Sequence, residues 1–427
     1  MTFSFAANKR KWYLCSRKEE RIMLRQSLIS EIIDLQHSMA ERQKGEIERT
    51  RLNEVLMIPE FASIVTGLRR VGKSTLLRQI AASKGYKQVL ALNFDDIHLS
   101  GFEKDDFVRL YNEIRERKAH ELFFDEIQLV NGWEVFIHQL LREHYTVYIS
   151  GSNAAMLSTD LGTHLTGRHV PNELFPFSYL EFLQFMKKER GVSSFADYMR
   201  MGGIPEYLKS KQGVVLRTLL DDVLVRDISI NKGVKNVAAL RQLAVYLLSN
   251  VSRLFAANKL TSVCGIASPA TVLEYVSYMQ DAYLLDTVGM YDTSVKVTAR
   301  NPKKVYAYDL GLVNTLTLSK SPDKGHLLEN LVFIQLRYNH NSDHIYYHRG
   351  AGECDFIVTD ESNQPLRAIQ VCHQLTDENF QREMDGLTEA MKRFNLSEGF
   401  IITLDEKDEF ATESGTVKVV RAWEVFQ

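Results

Sequence analysis

The segment from Gly67 to Ser74, GLRRVGKS, constrains the fold of this chain more than any other stretch. An apolar run over residues 61–65 precedes it, and a helix-forming stretch over 75–82 follows it. The spacing matches G-x-x-x-x-G-K-[ST], a phosphate-binding loop between a strand and a helix. Gly67 and Gly72 let the backbone curl so that its N–H groups point at phosphate oxygens, where a Cβ would intrude. The strand–loop–helix context favours this interpretation over a glycine-rich turn that merely ends a strand, and it predicts a nucleoside triphosphate site.

The side chains of this loop have distinct predicted roles. Lys73 is expected to reach the β- and γ-phosphates, and the hydroxyl of Ser74 is expected to ligate Mg²⁺. The helix that begins near Lys73 adds its positive amino-terminal dipole. The other predicted nucleotide contacts are Gly67, Arg69, Arg70, Val71, Gly72 and Thr75.

Composition narrows the class of protein without deciding its function. The 427 residues carry a formal net charge of -2, so any DNA binding has to rest on a local basic patch. The four cysteines are widely scattered, which favours reduced thiols in a cytosolic protein. His348, Cys354, Cys372 and His373 lack the spacing of a paired zinc module. Because the sequence has neither an apolar run of transmembrane length nor the apolar core of a secretory signal, we expect a cytoplasmic protein with no membrane partner.

Two carboxylates follow an apolar strand of the same region. Apolar segments alternate with helical ones from residue 61 to residue 150, which predicts a parallel sheet covered on both faces. One of these strands, 122–124, ends in Asp125 and Glu126. With a phosphate loop upstream, Asp125 is expected to hold Mg²⁺ through its water shell and Glu126 to polarise the attacking water. The alternative for a lone Asp at a strand end is a helix N-cap.

The residues after the next strand could complete such a site. Ser152 or Asn153 would lie beside the γ-phosphate and could orient the water, and a turn or helix cap is the alternative. Arg168, which follows Gly167, is the candidate for a charge that stabilises the transition state, in its own chain or in a neighbouring subunit. Arg69 and Arg70 are alternatives for that role, and an ordinary surface arginine is the other interpretation of each.

The segments on either side of this core are predicted to be mainly helical. Residues 1–22 are basic, and we favour a poorly ordered leader upstream of a natural start at Met23 over a nucleic-acid-binding arm. Helices are expected within the rest of the segment 1–58. Residues 213–322 show helices and then a hairpin, which suggests a winged helix.

Basic residues on or near the wing of that segment are Lys296, Arg300, Lys303 and Lys304. They could contact phosphates of DNA. The alternative is that the winged helix serves as a lid or as a contact for a protein partner.

Several motifs in fixed order carry a resemblance to a known family. They are the loop 67–74, the segment 122–126, Ser150-Gly-Ser-Asn153, Gly167-Arg168, Phe175-Pro-Phe-Ser178 and Gly202-Gly-Ile-Pro205. From about residue 40 onward the chain resembles bacterial and archaeal AAA+-type (P-loop) ATPases that carry a carboxy-terminal domain of unknown function related to restriction endonucleases. The resemblance implies ATP as the nucleotide. It also implies an α/β fold with an AAA+-like core and lid over 59–212, a winged-helix segment over 213–322 and an endonuclease-like domain over 323–427. Such ATPases often need an arginine from a neighbour, which implies a homo-oligomer.

The endonuclease-like domain departs from the pattern of an active nuclease. In restriction-type nucleases an acid on a helix, an acid on a strand and Glu-x-Lys on the next strand hold Mg²⁺ and activate water. Glu329 and Asp355 match the first two positions, whereas Gln370 replaces the third carboxylate and Cys372 the lysine. Because an amide is a poor Mg²⁺ ligand and a thiol lacks the lysine's charge, we expect a catalytically silent domain that still binds a partner.

Three hypotheses about function follow. The first is an Mg²⁺-dependent ATPase whose nucleotide state rearranges the carboxy-terminal domains. The second is a nucleotide-gated adaptor that hydrolyses slowly and recruits DNA or protein. The third, an ATP-driven nuclease, runs against the expectation from Gln370 and Cys372.

Overall fold

The chain is built around two β-sheets, and the computed structural model describes residues 24–42, 47–85, 88–151, 167–294, 298, 301–317 and 323–426. The helices of the amino-terminal part are α1 (Gln26–Arg42), α2 (Lys73–Lys84), α3 (Phe107–Glu116) and α4 (Trp133–Arg142). Its strands are β1 (Ala62–Thr66), β2 (Val89–Asn93), β3 (Glu121–Asp125), β4 (Thr146–Ser150) and β5 (His169–Glu173). Short 3-10 helices lie at Thr50–Asn53, Ile97–Leu99, Lys104–Asp106 and Ile127–Leu129.

These five strands form one sheet in the order β2-β3-β4-β1-β5, and all of its neighbouring strands are parallel. The helix α2 packs on one face, and α1, α3 and α4 pack on the other. The strands β1, β3 and β4 are therefore almost wholly buried, which is why they are continuous apolar runs. The predicted parallel α/β core is confirmed. Because parallel strands end at one edge of the sheet, the residues that follow β1, β3 and β4 meet there.

The edge strand β2 is closed by a side chain of α1. The side-chain oxygen of Gln36 accepts from the backbone N–H of Asn93 at 2.8 Å, and its amide nitrogen donates to the carbonyl of Asn93 at 3.1 Å. Gln36 thus satisfies backbone groups that an open sheet edge would expose. The predicted amino-terminal helices are α1 and the 3-10 helix Thr50–Asn53.

The carboxy-terminal part contains most of the helices and a second sheet. Its helices are α5 (Tyr179–Met186), α6 (Val192–Met201), α7 (Pro205–Ser210), α8 (Gly213–Asp222), a π-helix (Val223–Ile230), α9 (Val237–Leu248), α10 (Ala257–Cys264), α11 (Pro269–Asp281), α12 (Leu310–Leu316), α13 (Lys324–Asn339), α14 (Phe380–Phe394) and α15 (Ala422–Val425), with a 3-10 helix at Ser342–His344. Its strands are β6 (Leu254–Phe255), β7 (Leu285–Met290), β8 (Lys303–Ala307), β9 (Ile345–Arg349), β10 (Glu353–Thr359), β11 (Pro365–Val371), β12 (Glu398–Thr403), β13 (Asp408–Thr412) and β14 (Gly415–Arg421). Across the described ranges, none of the helices has the length and apolar content needed to cross a membrane.

The second sheet is mixed and has the order β13-β14-β12-β11-β10-β9-β7-β8-β6. The antiparallel pair β7–β8 confirms the predicted hairpin. The strand β7 also pairs in parallel with β9, through Gly289 opposite Tyr346, so the hairpin and the last hundred residues share one sheet. The winged-helix assignment and a domain boundary after residue 322 stay predictions.

One apolar core joins the two parts of the chain. It includes Leu76 of α2, Phe175 after β5, Leu220 of α8 and Phe333 of α13. The helix that follows the phosphate loop is therefore packed, through continuous side-chain contacts, to the elements that carry the second sheet.

Candidate nucleotide-binding site

The loop of residues 67–74 connects β1 to α2, as its spacing predicts. Its backbone is left-handed at Gly67 (φ 146°), Arg70 (φ 64°) and Gly72 (φ 102°). A Cβ at Gly67 would lie 2.1 Å from the carbonyl oxygen of Leu174, so this glycine is also required by the close approach of the chain after β5. A curled loop followed by the first turn of a helix is the geometry that typically binds anions.

The side chain of Lys73 contacts this loop. Its ammonium donates to the carbonyls of Gly67 at 2.8 Å and Leu68 at 3.0 Å, and the residue is buried. Burial lowers the pKa of Lys73 to about 8, and Glu126 is the first of the carboxylates that oppose this shift. Phosphate oxygens at the loop would offer the ammonium charged acceptors in place of two neutral carbonyls.

The acidic pair lies at the carboxyl end of β3, next to this loop. Asp125 is buried, pairs in register with Ser150 at the end of β4, and accepts a hydrogen bond from the Ser150 hydroxyl. Glu126 has a left-handed backbone (φ 55°), and its carboxylate accepts from the amide of Gln128. Burial raises the pKa of the Glu126 carboxyl, with Lys73 opposing and Asp125 reinforcing the shift.

Ser74 and Asp125 line one cavity of about 400 Å³, together with Asn93, Asp95 and Asp96 at the end of β2. Hydroxyl and carboxylate oxygens are the hard donors that Mg²⁺ prefers, and Mg²⁺ typically takes one or two carboxylates together with substrate phosphates. The donor set of Ser74 and Asp125 therefore fits the predicted ion. Among the described residues, no group of three or more His, Cys, Asp or Glu side chains could hold a metal ion by itself.

The two loop arginines are held by the helices that follow. Arg69 makes a two-pronged ion pair with Asp227 of the π-helix, at 2.7 Å and 3.0 Å. Arg70 donates to Asp222 at 2.8 Å and to Glu206 at 3.1 Å. Both side chains point from the phosphate loop to residues 206–227, so their predicted contact with nucleotide requires them to leave these partners.

Arg168, another predicted catalytic residue, is not brought to this edge. The carbonyl of Arg168 accepts from the N–H of Ala62, at the amino end of β1. Arg168 thus lies beside the start of β1, about 17 Å along the strand from Gly67 at 3.3 Å per residue. This geometry disfavours a role for Arg168 in its own chain, and a role in a neighbouring subunit stays a prediction. Ser152 and Asn153 lie outside the described residues.

The amino-acid sequence of this chain is similar to known proteins over both of its parts. A family model described as an AAA domain matches residues 60–183, and one described as a domain of unknown function (DUF8612) matches residues 192–323. An uncharacterized protein of Methanocaldococcus jannaschii is 29% identical over 390 residues, which is 83% of this chain and 87% of the relative. An uncharacterized protein of Haemophilus influenzae is 30% identical over 297 residues, which is 65% of this chain and 74% of the relative. This chain belongs to their family.

The phosphate loop and the acidic pair thus lie in the AAA domain, which confirms the AAA+-type P-loop ATPase core predicted from the motifs. The matches do not support the endonuclease-like assignment of residues 323–427, which stays a prediction. Among solved structures, AMPPCP-bound DnaA of Aquifex aeolicus is 16% identical with a TM-score of 0.26, over 58% of this chain and 88% of that chain. Cdc6p of Pyrobaculum aerophilum is 13% identical with a TM-score of 0.27, over 65% of this chain and 96% of that chain. Because these TM-scores are low, the fold assignment depends on the strand order and on the AAA domain match.

Arg49, which the sequence analysis did not identify, holds the phosphate loop in place through buried hydrogen bonds. The residue is almost fully buried, and its guanidinium donates to Glu181 at 2.9 Å, to the carbonyl of Val71 at 2.7 Å and to the carbonyl of Phe175 at 2.7 Å. Because Val71 belongs to the phosphate loop and Glu181 to α5, this one side chain fixes the loop against the chain after β5. Its position in an unremarkable polar run left no signal in the sequence.

Replacing Arg49 by Met is expected to destabilise the folded chain by about 3–5 kcal/mol, because the buried carboxylate of Glu181 loses its charged partner. The measurement is the free energy of unfolding in urea. The matched control is R226M, which removes an exposed arginine 3.6 Å from Asp222 and is expected to cost less than about 1 kcal/mol. Equal losses in the two variants would contradict the bracing role.

The four residues predicted as a vestigial nuclease site line one cavity together with Lys304. Glu329 and Asp355 both contact the ammonium of Lys304, at 3.0 Å and 2.9 Å, and Glu353 contacts it at 2.8 Å. Gln370 accepts from the N–H of Asp355 at 3.2 Å and donates to Glu383 at 2.6 Å. Burial raises the pKa of the Cys372 thiol to about 12, so it is neutral at physiological pH.

Lys304 was predicted on a phosphate-contacting patch, and that prediction is wrong because the side chain is buried. Its carboxylate neighbours raise the pKa of Lys304 well above the ordinary value against the effect of burial, which keeps the ammonium charged. The ammonium therefore occupies the space between the two matched acids, where a nuclease would hold its cation. Of the other predicted patch residues, Lys303 is half-buried, and Lys296 and Arg300 lie outside the described residues.

Proposed function

We propose that this protein is an Mg²⁺-dependent ATPase. The observation that carries the proposal is that Lys73, Ser74, Asp125 and Glu126 meet at one edge of the sheet of an AAA domain. The choice of ATP follows from the AAA domain and not from a contact to the base. The phosphate loop and the helix dipole would bind the triphosphate through backbone N–H groups, and Lys73 would neutralise its charge.

Asp125 and Glu126 have different proposed roles, one in binding the metal ion and the other in activating water. Ser74 and Asp125 would hold Mg²⁺, which when bound neutralises charge on the phosphate oxygens. Glu126 would accept a proton from the attacking water. Burial raises the pKa of this carboxyl, which makes it a stronger base than an exposed glutamate. Its proximity to Lys73 keeps the shift moderate, since the ammonium favours the ionised form.

Phosphate release from ATP by the purified chain, compared with release by E126Q, tests this proposal. A chain that hydrolyses ATP equally well with Gln at position 126 does not use this carboxylate as its base. A chain that binds ATP but turns over slowly in both forms would instead support the adaptor hypothesis.

We further propose that the nucleotide state controls the carboxy-terminal part. Three polar contacts to that part support this. Thr66, just before the phosphate loop, contacts Tyr283 at 2.9 Å, and within the loop Arg69 pairs with Asp227 and Arg70 with Asp222. Any rearrangement of the loop on binding ATP has to act on these contacts. The recruited partner is proposed to be a protein, since burial of Lys304 removes one of the four residues that argued for DNA.

The lowered pKa of Lys73 leads us to expect that ATP binding depends on pH. In the free chain the pKa of Lys73 is about 8, and bound phosphates would raise it. Below that pH the lysine is charged before and after binding, so affinity is flat. Above it, binding takes up a proton, and the Kd of ATP is expected to rise by up to about tenfold per pH unit.

Calorimetric titrations with ATP between pH 6 and pH 10 provide the measurement. In K73R the guanidinium stays charged throughout, so the Kd should lose this dependence. A slope that is identical in K73R and the wild-type chain would assign the dependence to another group.

A further inference from the structure

The ion pair between Arg69 and Asp227 joins the phosphate loop to the domain of unknown function. Arg69 is the third residue of the loop, and Asp227 lies within the segment 192–323 that matches DUF8612. The guanidinium meets both carboxylate oxygens, a geometry that gives strong, directional pairing. The side chain of Asp227 is 3% exposed while that of Arg69 is 27% exposed, so the arginine is the partner with room to move.

Asp227 acts electrostatically on the phosphate site itself. It is the leading cause of the raised pKa of Arg69, through the hydrogen bond, and Glu126 adds to that shift. Asp227 also opposes the lowered pKa of Lys73, second only to Glu126 among the carboxylates. Asp227 thus pairs with a cation of the phosphate loop that would also attract the phosphates of a bound nucleotide. Bound triphosphate and Asp227 therefore compete for the same cations.

We propose that Arg69 exchanges Asp227 for the γ-phosphate of bound ATP, which makes Asp227 the positioning residue through which the DUF8612 domain distinguishes ATP from ADP. The inference rests on the proposed function. The edge of the guanidinium that now holds Asp227, Nε and Nη2, cannot hold the γ-phosphate at the same time. The γ-phosphate, with more charge and three oxygens, is the stronger attractor for that edge. ADP lacks that group, so it leaves the ion pair in place.

The element that carries Asp227 is suited to respond. Asp227 lies in the middle of the π-helix Val223–Ile230. π-Helical segments are rare in proteins, and those that occur are often found at functional sites. When Arg69 leaves, a buried carboxylate loses its bidentate partner, which is costly in the closed arrangement. The π-helix is then expected to shift toward an arrangement in which Asp227 gains solvent or a new partner, so that ATP and ADP favour different positions of the domain.

The test measures the Kd of ATP and of ADP, both with Mg²⁺, by calorimetry in an E126Q background that preserves ATP. Substituting Asp227→Asn removes the competing charge at constant shape. We expect the preference for ATP over ADP to increase about tenfold, within the usual range of coupling between two sites. In R69A/D227N the gain should vanish, because no guanidinium remains to reach the phosphate.

The matched control is D286N. Asp286 is also a buried carboxylate beside an arginine, 3.6 Å from Arg337, and it lies in the same domain. Its hydrogen bonds within the described part of the chain are to Gln280, Thr287 and Tyr308 and not to the phosphate loop. D286N is expected to lower stability without changing the ATP-to-ADP preference, which separates a nucleotide effect from a folding defect. A second readout is hydrogen exchange of residues 223–230, which ATP should accelerate and ADP should not.

The outcomes separate this inference from the proposed function. If D227N shows the wild-type preference, or if its gain persists without Arg69, the exchange is overturned while ATP binding stands. If neither the wild-type chain nor E126Q binds either nucleotide, the proposed function falls and this inference with it.

Discussion

Replacing Glu126 by Gln is expected to slow ATP hydrolysis by about a hundredfold to ten-thousandfold, the usual contribution of a general base. The amide has nearly the shape of the carboxylate and can keep a hydrogen bond to Gln128, but it cannot accept the proton of the attacking water. Binding of ATP should persist, because the loop, Lys73 and Ser74 are unchanged. The measurement is steady-state phosphate release together with the Kd of ATP.

The control for this substitution is E121Q. Glu121 begins β3, the strand that delivers Asp125 and Glu126 at its other end, so E121Q removes the same charge at the opposite edge of the sheet. Turnover in E121Q should match that of the wild-type chain. Equal turnover in E126Q would show that another group accepts the proton. Loss of ATP binding in E126Q would show that Glu126 organises the loop and is not primarily a base.

Replacing Lys304 by Met is expected to destabilise the chain by about 3–5 kcal/mol, because it leaves a buried cluster of carboxylates without its cation. Methionine fills a similar volume, but Glu329 and Asp355 are left buried at close range with no cation between them. Their like charges then repel, and at least one must take up a proton for the domain to stay folded. The free energy of unfolding in urea gives the measurement.

Two further variants make this prediction specific. K303M changes the adjacent lysine of β8, whose side chain points to the other face of the strand, and is expected to cost less than about 1 kcal/mol. The triple variant K304M/E329Q/D355N removes the buried charges of the cluster and leaves the partly exposed Glu353. It should recover part of the lost stability, because replacing a buried ionic cluster is milder than breaking it. If the triple variant is no more stable than K304M, the loss comes from packing and not from charge.

Local patterns determined those features whose cause is local. A glycine-rich loop between an apolar strand and a helix has few other uses, so the phosphate loop and α2 follow from GLRRVGKS itself. The pair Asp125-Glu126 was found because an apolar strand that ends in two acids is conspicuous. The start of α11 also has a local cause, since the side chain of Ser268 accepts from the N–H of Thr271 and Pro269 lies in the first turn. The parallel sheet followed because its strands are apolar on both faces.

The tertiary structure alone decided the partners of the charged residues. Arg69 lies 158 positions from Asp227, Arg49 lies 132 positions from Glu181, and Lys304 lies 51 positions from Asp355. Periodicity and spacing describe neighbours along a strand or helix, whereas an ion pair depends on which elements the core brings together. The same limit explains Lys304. Its sequence neighbours suggest an exposed wing, but the side chain is buried and contacts three acids from α13 and β10. A buried charge is stable only beside its partner, so the packing that brings the two together determines what such a residue does.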